Sequence, residues 1–300
     1  MKVVKGLALS LLSFLLFLSL SLFGLAFTLN NTILNPDFII SEIDELDTSS
    51  LAGEFLREQA AEVIPEEFGF ITPETIDSII ADAEPWVKEQ TDTVIRNGYD
   101  YLLGKSESLS VVISTEPLLD ILKNNLWQAL LESPPPEVAG LPPAVLEEQF
   151  NAFFQEFSQQ IPSTFEFNES LIPPEVLAQV EQARQYINYF QTGYKALIGL
   201  MALLLIGIIL IYREVRGATR GLGIIFLTYG VLEYGGILAA KHFALPQLPL
   251  SEIPRALQTW LPQFFSNLLH PLEMLSIGFL IGGIVLLIVS FVYKPRQPSF

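Results

Sequence analysis

Four stretches of the chain lack the interleaving of apolar and polar positions that marks a water-facing surface. Gly6 to Pro36, Ala196 to Tyr212 and Met274 to Tyr293 contain no charged residue, and Gly221 to Ala240 contains only Glu233. A helix needs about 20 apolar residues to cross the roughly 30 Å hydrocarbon core, because lipid offers no partner to an unpaired backbone N–H or C=O. The pattern therefore predicts four transmembrane helices, at 6–29, 194–212, 221–240 and 272–293. The second is the shortest of the four stretches, and flanking Tyr194, Lys195, Tyr212 and Arg213 are placed to reach the two interfaces.

Between the first two spans the periodicity becomes that of amphipathic helices. Thr72-Pro73 supplies an N-cap and a proline for the first helical position, although Thr75 stands where a capping box favours glutamate. Ile76, Ile79 and Ile80 follow at helical spacing, a bend is expected at Pro85, and the pattern resumes through Val94, Ile95 and Leu102 to Gly104. Leu109 to Ile113 is a short strand-like run. Pro117 to Leu131 again reads as helix and stops at Ser133-Pro134-Pro135-Pro136. Pro142 to Gln160 predicts an amphipathic helix with a stripe of Phe150, Phe153, Phe154 and Phe157. From Pro174 the helical pattern runs straight into the second span, which suggests one rod, either a passive stalk or an element that transmits movement. After the third span, Ser251 is placed as the N-cap of a further helix. Its Ile253, Leu257, Trp260, Leu261, Phe264, Phe265, Leu268 and Leu269 share one face, and Pro262 should bend it. Such a helix fits the membrane interface or the cap of a neighbouring domain.

Charge sharpens this picture. Only 16% of residues are charged and 50% are hydrophobic, against about a quarter charged in soluble proteins. The net charge is −17, yet residues 30–193 hold 29 acids and six bases, so this segment carries −23 and the remainder is basic. Lys2 and Lys5 precede the first span, Arg213, Arg216 and Arg220 follow the second, and Lys294 and Arg296 follow the fourth. Bases favour the cytoplasmic side. The expected layout is thus a mainly α protein, a four-helix transmembrane bundle plus a mostly helical extracytoplasmic domain. In order, it comprises a cytoplasmic N-terminus (1–5), span one, an acidic extracytoplasmic domain (30–193), span two, a cytoplasmic turn (213–220), span three, an extracytoplasmic loop with an amphipathic helix (241–271), span four and a cytoplasmic C-terminus (294–300). Lys195, Lys241 and Arg255 are exceptions to the charge rule. Gly24-Leu25-Ala26 would suit a processing site, but the first apolar run is longer than a signal core and is read as an uncleaved anchor. The acidic domain repels phosphate, so nucleic acid is not an expected partner. With no cysteine, disulfides and thiolate chemistry are excluded.

Candidate chemistry is sparse. Glu233 stands out because an ionisable side chain within a span is costly and turns toward protein or water. Tyr229, Gly230, Gly236 and Ile237 share its helix face, and Gly278 and Gly282 give span four a GxxxG spacing, so the two glycine-bearing faces are expected to pack together. Glu233 is read either as a proton- or ion-handling carboxylate or as a protonated side chain hydrogen-bonded across the bundle to Ser276 or Tyr229. His242, His270 and Glu273 could approach a zinc site, but their spacing matches no signature and no metal or cofactor is assigned. Glu66-Glu67 and Glu147-Glu148 read as solvated helix faces, and no catalytic constellation accompanies them. The sequons at Asn30-Asn31-Thr32 and Asn168-Glu169-Ser170 carry no functional assignment.

Leu34-Asn35-Pro36-Asp37-Phe38 and Arg213-Glu214-Val215-Arg216-Gly217 together resemble uncharacterised prokaryotic four-span membrane proteins with a large extracytoplasmic domain, over residues 1–240. That resemblance implies no activity. The layout of one span, a large outer domain and three spans is also similar to that of the FtsX/MacB-like permeases, though the inner turn here is far too short for the ATPase-docking surface of that family. The expected function is a non-enzymatic binding or envelope-assembly protein acting through its extracytoplasmic domain, with the lipid bilayer and a protein as partners. The alternative is a transporter or channel subunit using Glu233, in which four spans would need a homo-oligomer to enclose a path.

Overall fold

A computed structural model describes residues 2–46, 71–136, 138–247, 253 and 255–293. Within them the chain is mainly helical and divides into two compact units, one of residues 1–39 with 185–300 and the other of residues 40–184. The expected cap at Ser251, the pair Glu66-Glu67 and the terminal bases Lys294 and Arg296 lie outside the described residues.

The first unit is built on four helices: α1 (Lys2–Asn31), α6 (Pro174–Tyr212), α7 (Val215–Ala239) and α8 (Arg255–Val292). Each is long and apolar enough to cross a membrane, which makes this a multi-pass membrane protein. Leu16 and Leu20 of α1 meet Met201, Leu204 and Ile208 of α6 and Leu222, Ile225 and Tyr229 of α7 in one buried cluster. A short helix, α2 (Pro36–Asp44), follows α1. It starts where it does because the Asn35 side chain accepts from the Asp37 N–H at 3.1 Å and Pro36 needs no N–H partner.

Two expectations for this unit are corrected. The turn predicted at 213–220 is only Arg213-Glu214. Arg213 adopts φ 57° and α7 begins at Val215, so Arg216 and Arg220 sit on its first two turns. The tight hairpin is possible because the Tyr212 ring lies over two glycines: a Cβ at Gly217 would be 2.7 Å from its Cδ1, and one at Gly221 would be 2.7 Å from its hydroxyl. The separate interfacial helix before span four is not formed either. α8 runs unbroken from Arg255 through Pro262 and Pro271 to Val292, because membrane helices re-satisfy the groups a proline frees.

The second unit contains α3 (Pro73–Leu102), β1 (Ser110–Ser114), α4 (Glu116–Glu132), α5 (Pro143–Gln159), β2 (Thr164–Asn168), and the first turns of α6. Threonine completes the capping box for α3: the Thr75 N–H donates to the Thr72 hydroxyl at 3.3 Å, and the Thr72 N–H donates to the Thr75 hydroxyl at 3.3 Å. The helix passes through Pro85 without interruption, and Gly104, with φ 72°, ends it in the left-handed cap that glycine adopts at least cost. β1 and β2 pair antiparallel with Val111 opposite Phe167 and Ile113 opposite Phe165, a partner strand the sequence reading had not identified. The phenylalanine stripe of α5 splits. Phe150 and Phe154 pack with Leu130 and Leu146 in the core, while Phe153 and Phe157 are exposed.

Candidate functional site

The charged position of α7 lies on the face that packs against the rest of the first unit. One turn before Glu233, the Tyr229 side chain is 1% exposed. Its ring stands edge-on to Phe17, with centroids 6.4 Å apart, and to Phe279 at 5.2 Å. Its hydroxyl fills the space beside Gly24, where any Cβ would overlap it and would also lie 2.9 Å from Leu272 Cδ1. Gly24 thus makes room for the tyrosine. The hydroxyl finds no acceptor among the described residues, an omission that costs about 1–3 kcal/mol in a buried setting.

Glu233 is half-buried, and the bonds expected of it are not made. The fully buried Ser276 hydroxyl donates to its own helix, to the Glu273 carbonyl at 2.8 Å, and Tyr229 does not reach the carboxylate as a hydrogen-bond donor. Among the described residues no hydrogen bond or ion pair engages Glu233.

The glycines are also distributed differently from the expected faces. A Cβ at Gly230 would come within 2.8 Å of the Ser276 carbonyl, so this position does permit close approach of α8. Gly236, Gly278 and Gly282 have nothing within 4 Å of where a Cβ would stand. The close contact is completed by Gly223, whose Cβ would be 3.0 Å from the Gly283 carbonyl, and by Gly283, whose Cβ would be 2.6 Å from the Leu227 nitrogen. Gly283 is one residue past the GxxxG pair, which turns the contact face of α8 by about 100°.

Sequence reasoning missed a pairing beside this site. Just past α7, Lys241 reaches Glu273 of α8 at 2.6 Å, with both side chains about three-quarters buried. Lys241 read as an exception to the charge rule, and Glu273 as a companion of His270. The only available signal was that a lysine and a glutamate flank the ends of consecutive spans. Among the described residues, no cluster of three His, Asp or Glu side chains is arranged to hold a metal.

The second unit offers a different feature. An open apolar cavity of about 200 Å³ is lined by Leu130 of α4, Pro135 and Val138 of the following turn, and Leu146, Gln149, Phe150 and Phe153 of α5. Proline fixes this turn away from helix, so the chain leaves α4 at Ser133, and Pro135 and Val138 form one wall of the cavity. The exposed Phe153 and Phe157 rings stack at 6.4 Å and extend the apolar surface by one turn. Elsewhere in this unit, the Tyr101 hydroxyl donates to the Glu181 carboxylate, and Arg184 covers the ring with its guanidinium carbon 4.7 Å from the centroid. That hydrogen bond, reinforced by burial, raises the Tyr101 pKa above the usual phenol value.

No family model matches the chain, and no curated protein or solved structure matches it either.

Proposed function

We propose that this multi-pass membrane protein is a non-enzymatic binding protein that presents residues 30–193 outside the cytoplasm to a protein partner. The observation that supports it best is the open cavity walled by Leu130, Val138 and Phe150, continued by the exposed ring of Phe153. Apolar surface of this kind on a strongly acidic domain is where association gains free energy, because a partner's side chain leaves water there. The basic residues at Lys5, Arg216 and Arg220 support the orientation. A photoreactive phenylalanine analogue placed at Phe153 or Phe157 in intact cells should yield a discrete crosslinked protein adduct. If neither position, nor a scan over the exposed faces of α3, α4 and α5, yields an adduct, the binding reading fails.

A second reading, a transporter or channel subunit, draws on the half-buried Glu233 with no hydrogen bond or ion pair among the described residues. It requires proteoliposome flux that disappears in Glu233→Ala, and unchanged flux would remove it.

A further inference from the structure

We propose that the cavity between α4 and α5 receives an apolar side chain from a cationic amphipathic helix of the partner protein. The inference rests on the binding reading above and adds the partner's chemistry.

Size and lining come first. An apolar cavity of about 150 Å³ takes up a benzene-sized group, so about 200 Å³ is room for one large aliphatic or aromatic side chain. Gln149 is the single polar residue of the lining, so the occupant's buried group carries no charge. Next to the cavity, Phe153 and Phe157 stand one turn apart with stacked rings. Two apolar anchors at that spacing match the i and i+4 positions of a helix laid alongside α5.

Charge then selects the kind of helix. α4 and α5 carry Glu116, Asp120, Glu132, Glu147, Glu148 and Glu156, all exposed, against the single base Lys123. None of the six carboxylates is in an ion pair among the described residues. An anionic helix would face repulsion, and a neutral one would gain nothing from them. Lysine or arginine on the flanks of the apolar stripe would meet them, and the field of the whole acidic segment would speed encounter. Anionic lipid headgroups are disfavoured by the same field.

The test uses the full chain in nanodiscs of zwitterionic phosphatidylcholine, with signal from empty nanodiscs subtracted. The probes are designed helical peptides of about 18 residues, long enough to hold a helix. Each has a leucine stripe carrying one diazirine side chain, and the other positions are lysine, glutamine or glutamate. The lysine peptide should bind at least about tenfold more tightly than the glutamine peptide at low salt, a gap that closes at about 0.5 M salt. Its label should fall on Pro135, Phe150 or Phe153, and Phe153→Ser and the cavity-filling Val138→Trp should each weaken it about tenfold. Equal binding of the lysine and glutamine peptides, labelling away from these residues, or indifference to both variants would overturn the proposal. So would labelling of the cavity by a diazirine phospholipid in the nanodisc, which would assign the space to acyl chains. None of these results touches the in-cell crosslinking from the scanned faces, so failure of this inference is distinguishable from failure of the binding reading.

Discussion

The Lys241 ammonium lies 2.6 Å from the Glu273 carboxylate and ties the segment after α7 to α8. With side-chain exposures of 26% and 20%, the pair is neither open to water nor fully desolvated. Removing one partner should therefore cost about 1–2 kcal/mol, between the surface and buried limits. Lys241→Ala and Glu273→Gln should each lower thermal stability in detergent, and the double variant should lose less than the sum of the two. Additive losses would show that the pair is not coupled.

The α7–α8 contact predicts a sharp contrast between adjacent glycines. Gly283→Leu should separate the helices and destabilise the protein by several kcal/mol, since the nearest obstacle is the backbone of Leu227. Gly282→Leu should change stability by less than about 0.5 kcal/mol, because its side of the helix is open. Denaturant titrations of the two variants check this directly, and equal losses would refute the assignment of faces.

In the second unit, Tyr101→Phe should cost about 1 kcal/mol at neutral pH by removing the donor to Glu181, which is half exposed. The pH dependence follows from the sign of the shift. The folded-state pKa of Tyr101 is raised, so its contribution is fully present below the ordinary phenol value of about 10 and is lost as pH rises through the higher folded value. Stability of the wild-type chain should therefore fall more steeply above about pH 10 than that of Tyr101→Phe. Parallel curves would show that the hydrogen bond does not distinguish the two protonation states.

The α5 stripe gives a further contrast. Phe150→Ala opens the core beside Trp127, whose ring centroid is 5.1 Å away, and should cost about 3–5 kcal/mol. Phe153→Ser, with 43% of that residue exposed, should cost under about 2 kcal/mol while reducing partner adducts. Urea unfolding of the two variants separates a core role from a surface one.

Much of this architecture is legible in the residues. The four membrane-length helices follow from long apolar runs with at most one charge, and the helix from Pro174 into the second span follows from the lack of any breaker except Gly193. The strand at Thr164–Asn168 carried a period-two signal in Thr-Phe-Glu-Phe-Asn that was too short to notice without its partner. Other features depend on neighbours that no local pattern reveals. Gly24 looks like part of a processing site until the Tyr229 hydroxyl is placed against it. Gly282 and Gly283 are equivalent in sequence, and only the orientation of α8 against α7 decides which one touches. Arg216 and Arg220 suggest a loop by their charge, yet the packing of Tyr212 on Gly217 and Gly221 starts the helix earlier.

The orientation of the chain across the membrane is the claim on which the binding proposal depends. The sequence contains no cysteine, so single cysteines introduced at Ser108 and at Glu214 give an unambiguous reading with a membrane-impermeant maleimide. In intact cells, Ser108→Cys should label fully, and Glu214→Cys should label only after the membrane is permeabilised. Labelling of Glu214→Cys from outside, with Ser108→Cys protected, would contradict the account.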